Sequence, residues 1–576
     1  MAFRQGTFSP RIGLAIVLTI GAPLLASAQG FRPPGPPPYT PADGAKGLKA
    51  VLFNWAWHME MLRGLDEHEL VVSLEYQGKG TMQVHGQPCT LTKYRSSINY
   101  QLSGERVQYE CTLPNGRTVS NVEVVHWQYA WDEDRPGAEL IPGQGKATPM
   151  PSAVQERLIR LWASPQGALK SALAGANQPD PRELPEDVAT VGKTSVSWKG
   201  GKPVVTFPLP GVPGAMATAT LNDQYMAETV VVTQGKNTTQ FTYGDYKDWN
   251  NPLNKVEAYY AGKITERKNG KVVRDLTTIQ TETGNVYVAM PVPASVRKAI
   301  KPGVTSEPPP PVPSMQEAIF SAEARSKPTP RTADGKPDLT GNWVAGGMNW
   351  RYGNRRCGPT QAEGCSPAWN QTIDFEFEAP SRYGPSRPLY KPEYWDKVQE
   401  LDMWTNKEDP VMTCQPLGIP RQGPPRRIVQ SAKDIIFFYG QYADGGGGYG
   451  EYRIMPIDGR EHDPRMDIVT TYMGHTVGHW EGDTLVLDSV GFNDQTWFGR
   501  GGYFHSDDLH VIEKLTRQGN EIRYEVTVDD PQVLLEPWVM APRILTESTR
   551  PDAGLLPERG NCELYETEDV VTQIRH

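Results

Sequence analysis

Asp458–His510 reads DGREHDPRMDIVTTYMGHTVGHWEGDTLVLDSVGFNDQTWFGRGGYFHSDDLH. On either side of Glu481-Gly482-Asp483, the runs His475–Trp480 and Thr484–Val490 alternate in polarity, as two antiparallel strands and their reversal do. Leu509–Thr516 and Glu521–Val528 repeat the pattern downstream. Upstream, Asp434–Tyr442 and Tyr449–Ile457 flank a Gly445–Gly448 tip. That glycine run lacks the Gly-Lys-Ser/Thr ending and following helix of a phosphate loop, so it reads as a hairpin tip or lip. Successive hairpins make a meander. Closing such a sheet into a barrel removes its edges and leaves room for a ligand.

Outward from this stretch the chain divides by composition. Residues 1–28 carry Arg4 and Arg11, an apolar run from Ile12 to Leu25 and Ala26-Ser27-Ala28, the order of a cleaved signal peptide. Gln29 is expected to begin the mature protein. Residues 29–45 form a Pro-rich leader, and a helix is expected over 47–64 from Leu48, Val51, Leu52, Trp55, Met59 and Leu62. His58 lies near that face. Strands follow between Glu69 and Tyr129, including VEVVHWQYAW as one segment. Ser152 and Ser164-Pro165 then read as caps of two helices. Strands resume after Val191, and Asn269-Gly270 is a hairpin turn. Pro302–Pro313 is a stiff spacer within a 301–330 linker, separating a 46–300 module from a 331–576 module.

Two resemblances refine these modules. Phe241–Pro293, with Tyr243-Gly244-Asp245-Tyr246 and Asp275-Leu276-Thr277, resembles the accessory domain preceding some exported metallo-β-lactamase-fold hydrolases. That domain is similar to the open half-barrel of periplasmic lipoprotein carriers. No catalytic residue carries over. In the second module Gly341-x-Trp343 is similar to the first-strand signature of lipocalin-like barrels. DGKPDLTGNW (334–343), Cys414–Pro420, Asp458–His462, Gly478–Val486, Gly491–Asp494, Asp530-Pro531 and Pro537-Trp538 together resemble an uncharacterised family of exported bacterial lipocalin-like β-proteins. The fold class expected is therefore mainly β: an N-terminal α+β half-barrel plus a C-terminal lipocalin-like antiparallel β-barrel.

Export implies a periplasmic or secreted setting, with no stable membrane span after cleavage. Removing Arg4 and Arg11 makes the formal net charge of −9 more negative, and no basic stripe compensates, so nucleic acid is not an expected partner. Six cysteines suit disulfides in an exported chain. Cys89 with Cys111, Cys357 with Cys365 and Cys414 with Cys562 is one connectivity among many.

The histidines pose the functional question. His475 and His479 have the spacing of a helical zinc pair, but on a strand they sit about 13 Å apart at ~3.3 Å per residue. No glutamate stands where HExxH chemistry needs it, so no metal set is assigned. With a two-residue reversal, His475, Val477 and His479 share a face with Val486, Asp488 and Val490, and one such register sets His475 opposite Asp488. A three-residue loop destroys the pair. His505, Ser506, Asp508 and His510 add rings and a carboxylate just before a strand, and Ser506 reads as a turn cap. His475, His479, Asp488, His505, Asp508 and His510 are the catalytic candidates, since a carboxylate-oriented imidazole is a general acid or base. Trp343, Tyr472, Trp480 and Trp497, with His475 and His479, are the candidate ligand lining. Each set also reads as core or as a structural polar network. Arg426-Arg427 reads as a solvated start of a strand or a carboxylate clamp.

Three functions are open. Carriage of an apolar or amphipathic small molecule leads; a cofactor-independent hydrolase, lyase or isomerase and a cell-envelope interaction module follow. No nucleotide, flavin or haem motif is present, so no cofactor is expected.

Overall fold

The computed structural model describes residues 39–59, 61, 71, 73–100, 102–178, 180–249, 259–283, 286–299, 319–345, 388–403, 408–439, 451–499, 501–540 and 542–550. The signal peptide, most of the leader, the 302–313 spacer, the Gly445–Gly448 tip, Cys357, Cys365 and Cys562 lie outside these residues.

The first sheet is two meanders joined through their opening and closing strands. One comprises β1 (Ser73–Val84), β2 (Gln87–Asn99), β3 (Gly104–Thr112), β4 (Thr118–His126), β5 (Tyr129–Glu133) and β6 (Ala147–Pro149). The other comprises β7 (Thr190–Val191), β8 (Thr194–Lys199), β9 (Lys202–Pro208), β10 (Ala215–Leu221), β11 (Ala227–Gln234), β12 (Asn237–Asp248), β13 (Tyr259–Lys268) and β14 (Lys271–Thr283). β1 pairs antiparallel with β14, making one 14-stranded sheet. Asn269-Gly270 is the β13–β14 turn, as its sequence demands. VEVVHWQYAW is not one strand. It breaks at Trp127, whose φ of 52° turns β4 into β5.

Three helices, α1 (Leu48–His58), α2 (Val154–Trp162) and α3 (Pro165–Gly175), fill one face of this sheet. Leu48, Val51, Leu52 and Trp55 of α1 enter the core, as their spacing requires, while His58 is exposed and stacks on Tyr225. Ser164 caps α3, accepting from the Gly167 N–H. Ser152 caps nothing: Pro151 starts a 3₁₀ turn one step earlier, and Ala153 occupies the N-cap of α2. Cys89 and Cys111 form a disulfide between β2 and β3. Cys414 is also disulfide-bonded.

The second sheet contains β15 (Gly341–Ala345), β16 (Arg427–Gln430), β17 (Asp434–Phe438), β18 (Tyr452–Pro456) and β19 (His475–Glu481). It continues through β20 (Thr484–Val490), β21 (His510–Gln518), β22 (Glu521–Asp529), the short β23 (Trp538–Val539) and β24 (Arg543–Glu547). The order β18-β17-β16-β15-β24-β22-β21-β20-β19, with β23 beside β22, is a nearly closed antiparallel barrel. At its seam the Gly459 N–H donates to Gly478 O at 3.0 Å. Gly478 permits that approach, because a Cβ there would stand 2.9 Å from Leu487 Cδ2 and 3.0 Å from Ile457 Cγ2.

Alternate residues point to the barrel axis, and side chains occupy that space. Phe437, Met455, Leu485, Leu487, Val511 and Tyr524 are buried together. Among them Arg453 donates to Glu513 Oε2 (2.6 Å), Tyr439 Oη (3.0 Å) and Thr476 Oγ1 (2.7 Å), and Tyr524 donates to Glu513 Oε1 (2.7 Å). The two sheets belong to one compact unit. Tyr287, from the segment after β14, enters the barrel's core, and its hydroxyl donates to Pro388 O and accepts from the Tyr390 N–H. No helix among the described residues is long and apolar enough to cross a membrane.

Candidate functional site

The reversal between β19 and β20 uses two residues, Gly482 and Asp483, and Gly482 supplies the φ of +61° that the turn requires. Parity therefore puts His475, Val477 and His479 on one face with Val486, Asp488 and Val490. The register is offset from direct opposition: Val477 stands across from Asp488, and His475 across from Val490. On the other side Asp488 faces Ile512 of β21, so His510 is its diagonal neighbour. Asp488 thus has a histidine diagonally on each flank. This is the outer face of the barrel, opposite Leu485 and Leu487.

A third ring closes the arrangement. After β18 the chain turns at Asp458-Gly459-Arg460, with the Asp458 carboxylate on Arg460 and the Gly459 N–H on β19. This brings His462 over the outer face. His462 Nε2 is 3.0 Å from Asp488 Oδ1, and its Nδ1 is 2.9 Å from His475 Nδ1. His510 Nε2 reaches the same oxygen, Asp488 Oδ1, at 2.8 Å. The chain is His475, His462, Asp488, His510.

Donor and acceptor chemistry orders the protons. An ionised carboxylate only accepts, so His462 Nε2 and His510 Nε2 both carry hydrogen. In a neutral His462 the Nδ1 is then an acceptor, and His475 Nδ1 must donate to it. That leaves the lone pair of His475 on Nε2. The hydrogen bond from His510 holds the Asp488 carboxyl below its ordinary pKa, against the opposing effect of burial, with His462 assisting. The same bond raises His510. Burial lowers His475, and the neighbouring His462 lowers it further. Two imidazoles in one cluster are thus pushed apart, one toward the free base and one toward the imidazolium.

The other candidates lie elsewhere. His479 is exposed on the same face, 3.4 Å from Glu481 Oε1. His505 is buried, with Nε2 2.6 Å from Thr496 Oγ1 and Nδ1 2.8 Å from Ser506 O, and burial lowers its pKa. Asp508 is exposed; its N–H donates to Ser506 Oγ, which itself donates to Asp530, so Ser506 holds a turn. Trp343 and Trp497 are buried in the barrel core; Arg517 stacks over Trp343. Trp480 is half-buried beneath Lys336, and Tyr472 is half-buried with its hydroxyl on Gln495. Of the six lining candidates, His475 and His479 share the outer face, while Trp343 and Trp497 belong to the barrel core. Arg426 and Arg427 are exposed.

His462 is the member that candidate selection from sequence leaves out. Its signal was the Asp-Gly-Arg-Glu-His turn itself, a histidine placed just after a strand that borders the paired face. Among the described residues, no three His, Cys, Asp or Glu side chains are arranged to hold a metal ion.

No family model matches the chain. No curated protein matches it either.

Proposed function

We propose that the outer-face cluster is a cofactor-independent general acid–base centre of the kind used by hydrolases, lyases and isomerases. One observation carries this reading: two imidazoles share a single oxygen of Asp488, which orders the protons of all three rings. His475 Nε2 accepts a proton from water or from an acidic C–H. His462 then accepts a hydrogen bond from the His475 cation and passes the stabilisation to Asp488. His510, held toward its charged form, donates from Nδ1, the nitrogen not engaged by Asp488. Among the described residues no serine, threonine or cysteine hydrogen-bonds to His475 or His510, which favours attack by water or proton transfer at carbon over a covalent intermediate.

Carriage of an apolar or amphipathic small molecule ranks second, because the Arg453–Glu513 network and its apolar neighbours occupy the described barrel interior. We read the setting as periplasmic or secreted, in keeping with the leader sequence and with the lipocalin-like and carrier-like resemblances of the two modules.

The test is turnover of a panel of esters, lactones and carbon acids, the last followed by deuterium exchange, as a function of pH. The expected profile is a bell whose acid limb, set by His475, falls below the ordinary histidine value of about 6.5, and whose alkaline limb, set by His510, falls above it. His475→Gln lowers the rate by roughly 10²- to 10⁴-fold, and His510→Gln removes the alkaline limb. Activities that survive both substitutions sink this reading.

A further inference from the structure

A cleft of about 240 Å³ lies where β2 and β3 meet the helix α4 (Trp395–Met403). Arg95, Arg106 and Arg135 line it, facing Trp395 and Asp396. The three arginines are not equivalent. Arg95 is neutralised twice, with Nε 2.7 Å from Glu75 Oε1 and Nη2 2.9 Å from Asp396 Oδ1. Arg135 is exposed and donates to Gln144.

Arg106 is different. Only 3% of it is exposed, yet its nearest carboxylate oxygen, Glu133 Oε2, is 3.6 Å from Nε. Glu133 is already held by Trp131 Nε1 and the Gly137 N–H. Arg106 Nη1 donates to Ala289 O at 2.8 Å, and Nη2 has no hydrogen-bond partner. The Trp395 ring covers the guanidinium at 4.4 Å. Burial lowers the Arg106 pKa, and Arg95 adds to the effect against the pull of Glu133. A buried guanidinium with an unpartnered N–H retains capacity for an acceptor that the protein does not itself provide.

We propose that this cleft binds a small organic carboxylate, which accepts from Arg106 Nη2 and lays its carbon chain against Trp395 and Val288. A carboxylate is planar like the guanidinium and offers a close acceptor, where Glu133 stands 3.6 Å away and is engaged by other donors. Glu393 and Asp396, which also line the cleft, repel a dianionic phosphate more than a singly charged carboxylate. The volume lies below the ~300 Å³ at which drug-sized ligand pockets begin, which excludes a nucleotide. The site is separate from the histidine cluster and does not depend on its chemistry.

Thermal unfolding and calorimetric titration of the full mature chain test it, with sodium acetate, propionate and benzoate compared against sodium chloride at equal ionic strength. Saturable stabilisation by the carboxylates is expected. Arg106→Lys keeps the charge, loses the fork and weakens binding roughly tenfold or more. Gln108→Trp leaves Arg106 in place, fills the cleft from its half-buried wall and abolishes binding. Identical behaviour in carboxylate and chloride, or saturation unchanged in both variants, overturns the proposal. Stronger saturable stabilisation by inorganic phosphate than by any carboxylate overturns the ligand class.

Discussion

Asp488 and His510 change each other's affinity for protons, and that exchange has a sign. His510 is raised in the folded protein, so its contribution is fully present below about pH 6.5 and is lost as pH rises through the folded value. Asp488 is depressed, so its contribution is present above about pH 4 and is lost as pH falls through the folded value. Both act together between those limits. Asp488→Asn is therefore expected to cost most stability from about pH 4 to pH 6.5, with the gap to wild type closing on the alkaline side. The pair is about a third exposed, so the loss is about 1 kcal/mol or less and shrinks with added salt. Urea midpoints measured across pH check this. A gap constant with pH would show that packing rather than protonation connects the two residues.

At the scale of elements, the seam between β18 and β19 depends on the smallest side chain. Gly478→Val places a branched side chain against Leu487, Ile457 and the Pro456 carbonyl. The expected cost is about 1–3 kcal/mol, from forced displacement of the strands. Faster hydrogen exchange at the Gly459 amide, with little change at the β20–β21 ladder, would place the damage at the seam; uniform acceleration would not. The strands themselves were legible, because period-two alternation and turn residues define β19 to β22 almost to the residue. The parity that puts His475 and Asp488 on one face was equally legible, since a two-residue turn fixes it. His462 arrives on a loop, and no periodicity sets a loop's path. Trp127 hid a turn, since a tryptophan at positive φ has no sequence signal. The β15–β24 and β1–β14 pairings join segments far apart in the chain, and alternation alone does not choose partners.

Across the whole molecule, the two sheets are coupled by a few large side chains. Tyr287 bonds to Pro388 and Tyr390, its carbonyl accepts from Gln399, and Arg95 reaches Asp396 of α4. Such sharing predicts one cooperative urea transition for the described protein in place of two. Tyr287→Ala removes a buried aromatic at the junction at a cost of about 3–5 kcal/mol. The expected result is separation into two transitions, read by tryptophan fluorescence and circular dichroism together. A single shifted transition in the variant would mean that the remaining contacts suffice to couple the sheets. Packing thus reaches across the proline spacer through Tyr287.

The barrel's seam also has a mechanical meaning. Among the described residues β18 and β19 meet through the close approach at Gly478, whereas the other neighbouring strands pair in register, over as few as two residues at β15–β16 and as many as nine at β21–β22. Tension applied across that line peels it like a zipper, while tension along the strands loads the ladders in shear. The cylinder is therefore expected to be anisotropic under force, yielding first by uncurling into a sheet whose hydrogen-bonded ladders are still intact.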